Sequence, residues 1–274
     1  MTLPLVVGAD GSEASLEAVA WAAAEAVRHG VPLHVLHAAV GDHEASDVVR
    51  TAAERATAAA PAVRVSSEVV HEEAISSLVG KDRSALALVL GSRGLGGDLP
   101  GLLLGSVGLA VAARAHCPII VVRGAAEHRD ARFGSIVVGV EEGEGSDTAV
   151  EFAFREARTR HCRLVAVHAW NPRFGASPTP EVPPWYALEA HRRPPAQVLD
   201  DALRGPVERY GDTLTSRLVI DGPARQALVD AASEADLLIV GARRRQLVAG
   251  LQLGLINHAL LHHAPCPVAV VPRT

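Results

Sequence analysis

Aromatic side chains are scarce: Phe, Trp and Tyr make up 3% of the 274 residues, against 49% apolar residues overall. Any core is therefore built from Ala, Val and Leu. Lysine is almost missing as well. Lys81 is the only one, which excludes a Walker-type phosphate loop, since that loop needs a lysine directly after its last glycine. Three cysteines, Cys117, Cys162 and Cys266, cannot build a disulfide framework. Two of them stand in Cys-Pro pairs ahead of apolar runs, where a small buried side chain suffices. The net charge of −5 excludes the basic surface of a general nucleic-acid binder. No apolar run reaches membrane-spanning length, and the N-terminus lacks the charged leader of a signal peptide. A soluble cytoplasmic protein is expected, with no nucleic acid and no membrane among its partners.

What is present is alternation. Apolar strand-like runs at Leu3–Ala9, Val31–Ala38, Val63–Val70, Leu86–Leu90 and Pro118–Val122 are separated by helical patterns at Glu13–His29, Glu44–Ala60, Glu72–Gly80 and Ser106–Ala115. Ser12 stands where a helix N-cap belongs and Gly30 where a helix stops. Strands alternating with helices imply parallel βαβ units and a doubly wound sheet.

The order then repeats. Ser135–Glu141 echoes the opening strand, Leu164–Ala169 echoes Leu33–Ala38, Leu237–Gly241 echoes the fourth strand, and Cys266–Val271 echoes Cys117–Val122. Two tandem copies of one domain account for this, at 1–124 and 134–274, with a charged linker at 125–133. The offset between copies grows from 131 residues (Gly8 to Gly139) to 150 (Gly91 to Gly241). Most of the growth falls in the proline-rich segment 171–195, which reads as a passive insertion or, alternatively, as a lid or partner-binding arm.

The fourth strand of the first copy runs into Gly91-Ser92-Arg93-Gly94 and then, after Leu95 to Leu104, into Gly105-Ser106 at the start of a helix. Glycines after a strand allow tight turns and close ligand approach, and Ser106 is expected to cap a helix whose first amides attract anions. A phosphate held there would rest on backbone amides, Ser106 and Arg93. On its own the loop is equally compatible with an ordinary flexible turn.

With two such copies, each opening Val-Val-Gly and closing with Cys-Pro before the last strand, the chain resembles a tandem-domain universal stress protein of the actinobacterial type over almost its full length. The resemblance implies two tandem five-stranded parallel-sheet α/β sandwich domains of the adenine nucleotide alpha hydrolase-like, Rossmann-like class. It further implies that the fifth strands or adjoining faces pack the domains in pseudo-twofold fashion, and that the chain forms a homodimer and acts with an unknown regulatory protein partner. ATP-binding members carry Gly-x2-Gly-x9-Gly-Ser/Thr. Gly91, Gly94, Gly105 and Ser106 match, with a gap of ten residues instead of nine. By this resemblance Gly91, Ser92, Arg93 and Gly94 would wrap ribose and phosphates, Gly105, Ser106 and Val107 would hold the phosphate tail, and Gly8 and Asp10 would close the first strand. Asp10 would accept from ribose hydroxyls or a metal-bound water, and Ala38 or Ala39 would lie against adenine. The implied ligand is ATP, with or without Mg.

The second copy departs from the pattern: Arg244 replaces the second glycine, Leu255 the serine, and Glu141 the aspartate. Lost or altered nucleotide binding is expected there, while Arg243, Arg244 and Arg245 offer either an exposed basic loop or another anion site. His258, His262 and His263 are expected on a solvated helix face, and His37 and His168, which recur in both copies, as buried histidines bonded to backbone. No catalytic set is present. The reading is a non-catalytic or very slowly hydrolysing ATP-binding regulator. Its rivals are a nucleotide-free interaction module and an ATP-using enzyme.

Overall fold

A computed structural model of the chain describes residues 2–39, 45–92, 105–143, 146–170, 193–242, 245–247 and 250–273. In the first repeat, β1 (Leu5–Gly8), α1 (Glu13–His29), β2 (Leu33–Ala38), α2 (Ala45–Ala59), β3 (Val65–Val70), α3 (Ala74–Lys81), β4 (Ala87–Gly91), α4 (Ser106–Arg114) and β5 (Ile119–Val122) follow in the expected order. A helical turn, α5 (Ala126–Arg129), leads into β6 (Ser135–Gly139), α6 (Asp147–Arg160), β7 (Arg163–Trp170), α7 (Pro195–Arg209), β8 (Thr215–Asp221), α8 (Ala224–Ala231) and β9 (Leu237–Ala242). A small hairpin of β10 (Arg245–Leu247) and β11 (Gly250–Gln252), then α9 (Leu255–His263) and β12 (Val268–Pro272), complete the chain. The proline-rich segment 171–192 lies outside the described residues, as does Arg244.

Local chemistry fixes the helix ends. The Ser12 hydroxyl accepts from the Ser15 N–H at 3.2 Å and caps α1, while Gly30, at φ 66°, returns its N–H to the carbonyls of Ala26 and Val27. At α4 the sequence reading needs a correction. The N-cap is Gly105, with no side-chain cap, and Ser106 is the first helical residue. The β1 run is also shorter than expected, because Pro4 has no N–H to give; its carbonyl instead accepts from Leu86 at 2.8 Å.

The strands form one sheet in the order β3-β2-β1-β4-β5-β12-β9-β6-β7-β8. Each repeat supplies five parallel strands, and the two sets meet at a single antiparallel pair, Ile119 opposite Val270, Ile120 opposite Ala269 and Val121 opposite Val268. The fifth strands are therefore the seam, and the repeats are related by a pseudo-twofold axis through it. One apolar layer lies under α1, α2, α6 and α7, and another under α3, α4, α8 and α9. Both continue across the seam.

The axis also gathers charge. Glu25 and Glu156 occupy the same position in the two repeats, as do His29 and Arg160. Arg160 reaches across to Glu25 at 2.8 Å and along its own helix to Glu156 at 3.1 Å, while His29 reaches across to Glu156 at 3.3 Å. Arg28 adds a further contact to Glu25. Burial alone would raise the Glu156 pKa, but His29 and Arg160 outweigh it and hold the carboxyl below its ordinary value. Burial likewise opposes the charge on Arg160, and Glu25 and Glu156 overcome it.

The stretch expected to be a charged linker packs against both repeats. His128 is buried and its Nδ1 hydrogen-bonds the Ala235 carbonyl at 2.6 Å, Arg129 pairs with Glu17 at 2.7 Å, and Arg123 donates to the Leu261 carbonyl. The cysteines are packing residues. Burial pushes the Cys117 and Cys266 thiols up to about 12 and Cys162 up to about 11. Native protein is accordingly expected to react with a disulfide reagent far more slowly than denatured protein at mildly alkaline pH, because the thiolate is the nucleophile. Rapid modification of all three thiols in the native state would contradict this placement.

Candidate functional site

The carboxyl ends of β1, β2 and β4 and the first turns of α1 and α4 converge on one edge of the first repeat, where open parallel sheets bind ligands. Asp10 leaves β1 directly into the α1 cap. Its Oδ1 accepts from the Ser12 N–H at 3.0 Å and from the Ser12 hydroxyl at 2.6 Å, and its own N–H reaches the Ser15 hydroxyl at 3.3 Å. The carboxylate is thus oriented by the turn before any ligand arrives. Sequence reasoning missed Ser15. Its signal was present, since Asp10 and Ser15 recur at the same spacing as Glu141 and Ser146, and the Glu141 N–H donates to the Ser146 hydroxyl at 2.7 Å.

Gly8 closes β1 and Gly91 closes β4. A Cβ on Gly91 would stand 2.6 Å from the Ala14 carbonyl oxygen and 2.8 Å from its carbon, so α1 packs directly on the end of β4. Glycine is required there by helix–strand packing, whatever is bound. The glycine loop is pinched at its base, where the Gly105 N–H donates to the Ser92 carbonyl at 3.2 Å. Ser106 and Val107 begin α4, whose first amides have no partner within the helix and face the same edge. Arg93 and Gly94 lie outside the described residues.

At the end of β2, Ala38 is half-buried and Ala39 is buried. The Ala39 N–H donates to the Val70 carbonyl at 2.9 Å and its carbonyl meets His71 Nδ1 at 3.2 Å. Ala39 is thereby bound into the sheet end, and a base would meet it chiefly by contact. His37 Nδ1 bonds the Ala9 carbonyl at 2.7 Å, and His168 repeats the contact with the Val140 carbonyl at 2.9 Å. Both tie the second strand to the turn after the first, as expected of buried histidines.

The second repeat keeps the crevice with different walls. A cavity of about 490 Å³ is lined by Gly139, Glu141, His168, Gly241, Leu255 and Asn257. Asn257, whose counterpart is Gly108, donates its amide to the Gly241 carbonyl at 2.9 Å and so bridges α9 to β9. Leu255, in place of Ser106, is 91% exposed at the lip. The mouth has lost its hydroxyl donor and gained an apolar wall.

His258 and His263 are exposed, whereas His262 is half-buried and lies tilted against His258 with ring centroids 4.5 Å apart. Burial, followed by the neighbouring His258, His263 and Arg123, lowers the His262 pKa. Among the described residues, a group of three metal-ligating atoms occurs at Glu25, His29 and Glu156, where the Arg160 guanidinium already supplies the positive charge. No described helix is long and apolar enough to cross a membrane.

The family model described as the universal stress protein family matches residues 1–48, 38–123 and 132–272. The chain belongs to the universal stress protein family. Among curated relatives, universal stress protein Rv2623 of Mycobacterium tuberculosis is 32% identical over 293 aligned positions, which cover 98% of this chain and 96% of the relative. Universal stress protein Rv2005c of the same organism is 34% identical, covering 98% and 97%. A universal stress protein from Archaeoglobus fulgidus shares the fold at a TM-score of 0.74 and 17% identity, over 99% of this chain and 98% of that one. The tandem arrangement of universal stress protein repeats thus extends along the chain.

Proposed function

We propose that this universal stress protein is a cytoplasmic regulator that binds ATP, alone or with Mg, in its first repeat, and that the second repeat serves as structural and interaction surface. The observation that carries the reading is the convergence of Asp10, Gly91, Ser92, Gly105 and the open amides of Ser106 and Val107 on one sheet edge, set against the Leu255 and Asn257 mouth opposite. An anion at the α4 N-terminus meets oriented donors, whereas at α9 it meets an apolar lip. Among the described residues near the first crevice, the Ser12 hydroxyl pairs with the Asp10 carboxylate at 2.6 Å, but it is spent on capping α1, where it also accepts from the Ser15 N–H, and this favours retention of nucleotide over turnover. The nucleotide would act by favouring one arrangement of the chain or of its dimer, which requires unequal affinity for the two arrangements.

Isothermal titration of ATP into wild type and into a Gly105→Arg, Ser106→Leu variant tests this. One site per chain, lost in the variant while the circular dichroism spectrum is kept, is the expected result. No binding to folded wild type would overturn the proposal. One observation favours a nucleotide-free interaction module as second reading: the Gly105 N–H is already committed to Ser92, so the loop base is closed without ligand.

A further inference from the structure

A groove of about 1460 Å³ runs from the amino-terminal ends of β1, β4 and β5, away from the nucleotide crevice of that repeat, to the last turns of α6, the start of β7 and the residues ahead of β8. Its volume exceeds the roughly 300–1,000 Å³ of ordinary small-molecule sites. Its floor is apolar, with Leu5, Leu86, Ile120 and Phe152 among the lining residues.

The charges along it are unbalanced. Glu25 and Glu156 are taken up by Arg28, Arg160 and His29, and Asp82 by the N–H and ring of His116. That leaves Asp212 as the lining carboxylate without a cationic partner among the described residues. Against it stand Arg83, Arg155 and Arg163, which make no ion pair among the described residues, and Arg158, which lies over the Tyr210 ring at 5.2 Å. On a chain of net charge −5 this groove carries a local excess of guanidinium. The Thr213 hydroxyl, which also lines it, is buried without a hydrogen-bond partner among the described residues.

The pseudo-twofold axis shows what such a groove holds. On the other side, Ala235, Pro265 and Cys266 are the counterparts of the lining residues Ala85, His116 and Cys117. There the chain's own segment 124–132 fills the space: His128 bonds the Ala235 carbonyl, Arg129 pairs with Glu17 and Gly124 packs onto Pro265. A peptide with a helical turn occupies one of two pseudo-equivalent seats, and among the described residues no segment occupies the other. In the filled seat the cations belong to the peptide and the carboxylate, Glu17, to the wall. By sequence the counterpart of Glu17 is Thr148, so the seat beside Ala85 and His116 lacks that carboxylate, and the groove's lining supplies arginines.

We infer that the open groove docks an acidic, partly apolar peptide segment of a partner protein, its carboxylates on Arg83, Arg155 and Arg163 and its apolar side chains on the floor between Leu86 and Phe152. Carboxylate–guanidinium pairs give specificity and fast encounter, and the apolar floor supplies contact area.

The test is fluorescence anisotropy at low ionic strength with a short labelled peptide in which pairs of Glu alternate with Leu. Wild type is expected to bind it, and an Arg83→Glu, Arg163→Glu variant to bind it roughly tenfold or more weakly. Arg225→Glu, an exposed arginine on α8 outside the groove, is expected to bind like wild type. Thermal melts show whether each variant is folded, and Arg83→Gln, Arg163→Gln serves if the charge reversal does not fold. The proposal is overturned if wild type fails to bind, or if Arg225→Glu loses as much. It also fails if a Glu-only peptide or inorganic polyphosphate binds as tightly, because the site would then read charge without an apolar component.

Discussion

Replacing Arg160 with Ala is expected to cost about 3–5 kcal/mol of stability at neutral pH, more than any surface charge change should. The Arg160 and Glu25 side chains are each 4% exposed, and Arg160 is held by carboxylates from both repeats. Without it, Glu25 and Glu156 face each other across the pseudo-twofold axis with only Arg28 and His29 to compensate, in surroundings where hydration cannot make up the difference. The pH dependence carries a sign. In wild type the Glu156 carboxyl is held below 4.5, so its contribution is complete above that pH and disappears as pH falls through the folded value. In the variant the Glu156 carboxyl loses the lowering by Arg160 and burial pushes its pKa up, so folding takes up a proton and stability falls as pH rises. The gap between variant and wild type should therefore be widest near about pH 8 and narrow toward about pH 4.5. Urea unfolding at both values measures it, and a gap that is small or independent of pH would remove the cluster from any account of the seam.

That cluster also marks where sequence reasoning stops. The strand and helix order was legible because Ala, Val and Leu runs keep their period and because Ser12 and Gly30 punctuate α1. The pairing of the fifth strands was expected from family resemblance, and the hydrogen bonds of Ile119–Val121 with Val268–Val270 realise one of its two options. Glu25 and Arg160 are 135 positions apart. Each by itself reads as an ordinary charge on an amphipathic helix, and only the doubling of the sheet places them face to face. The same holds for the charged linker expected at 125–133, whose composition gives no sign that His128 is buried against Ala235.

At the crevice the residue types were legible and their commitments were not. Asp10, Gly91, Gly105 and Ser106 lie on the edge that the motif implies, yet the Gly105 N–H belongs to Ser92, Asp10 Oδ1 belongs to Ser12, and Gly91 is required by the approach of Ala14. A motif records which residues are kept together. It does not say how many of their hydrogen bonds the fold has already taken, and that number decides what remains for a ligand.

Gly124→Ala is expected to loosen the seam itself. Gly124 sits at φ +85°, and a Cβ there would stand 1.8 Å from the Pro265 carbonyl oxygen and 2.6 Å from its carbon. A backbone carbonyl cannot swing aside as a side-chain tip can, so either segment 124–132 lifts or Pro265 moves. Pro265 precedes Cys266 and β12, the strand that holds the two repeats together. Adding the left-handed strain to the displacement gives an expected loss of about 3 kcal/mol or more. Gly30→Ala separates the two causes. Gly30 is also left-handed, at φ +66°, but an added Cβ meets nothing within 4 Å, so only the strain of about 1–2 kcal/mol remains. Urea unfolding of both variants measures the difference, and amide exchange should quicken in Ile119–Val122 and Val268–Pro272 for Gly124→Ala alone. Equal losses in the two variants would mean that segment 124–132 yields without disturbing β12, and that the seam is held by the strand pair and the Arg160 cluster without help from the docked segment.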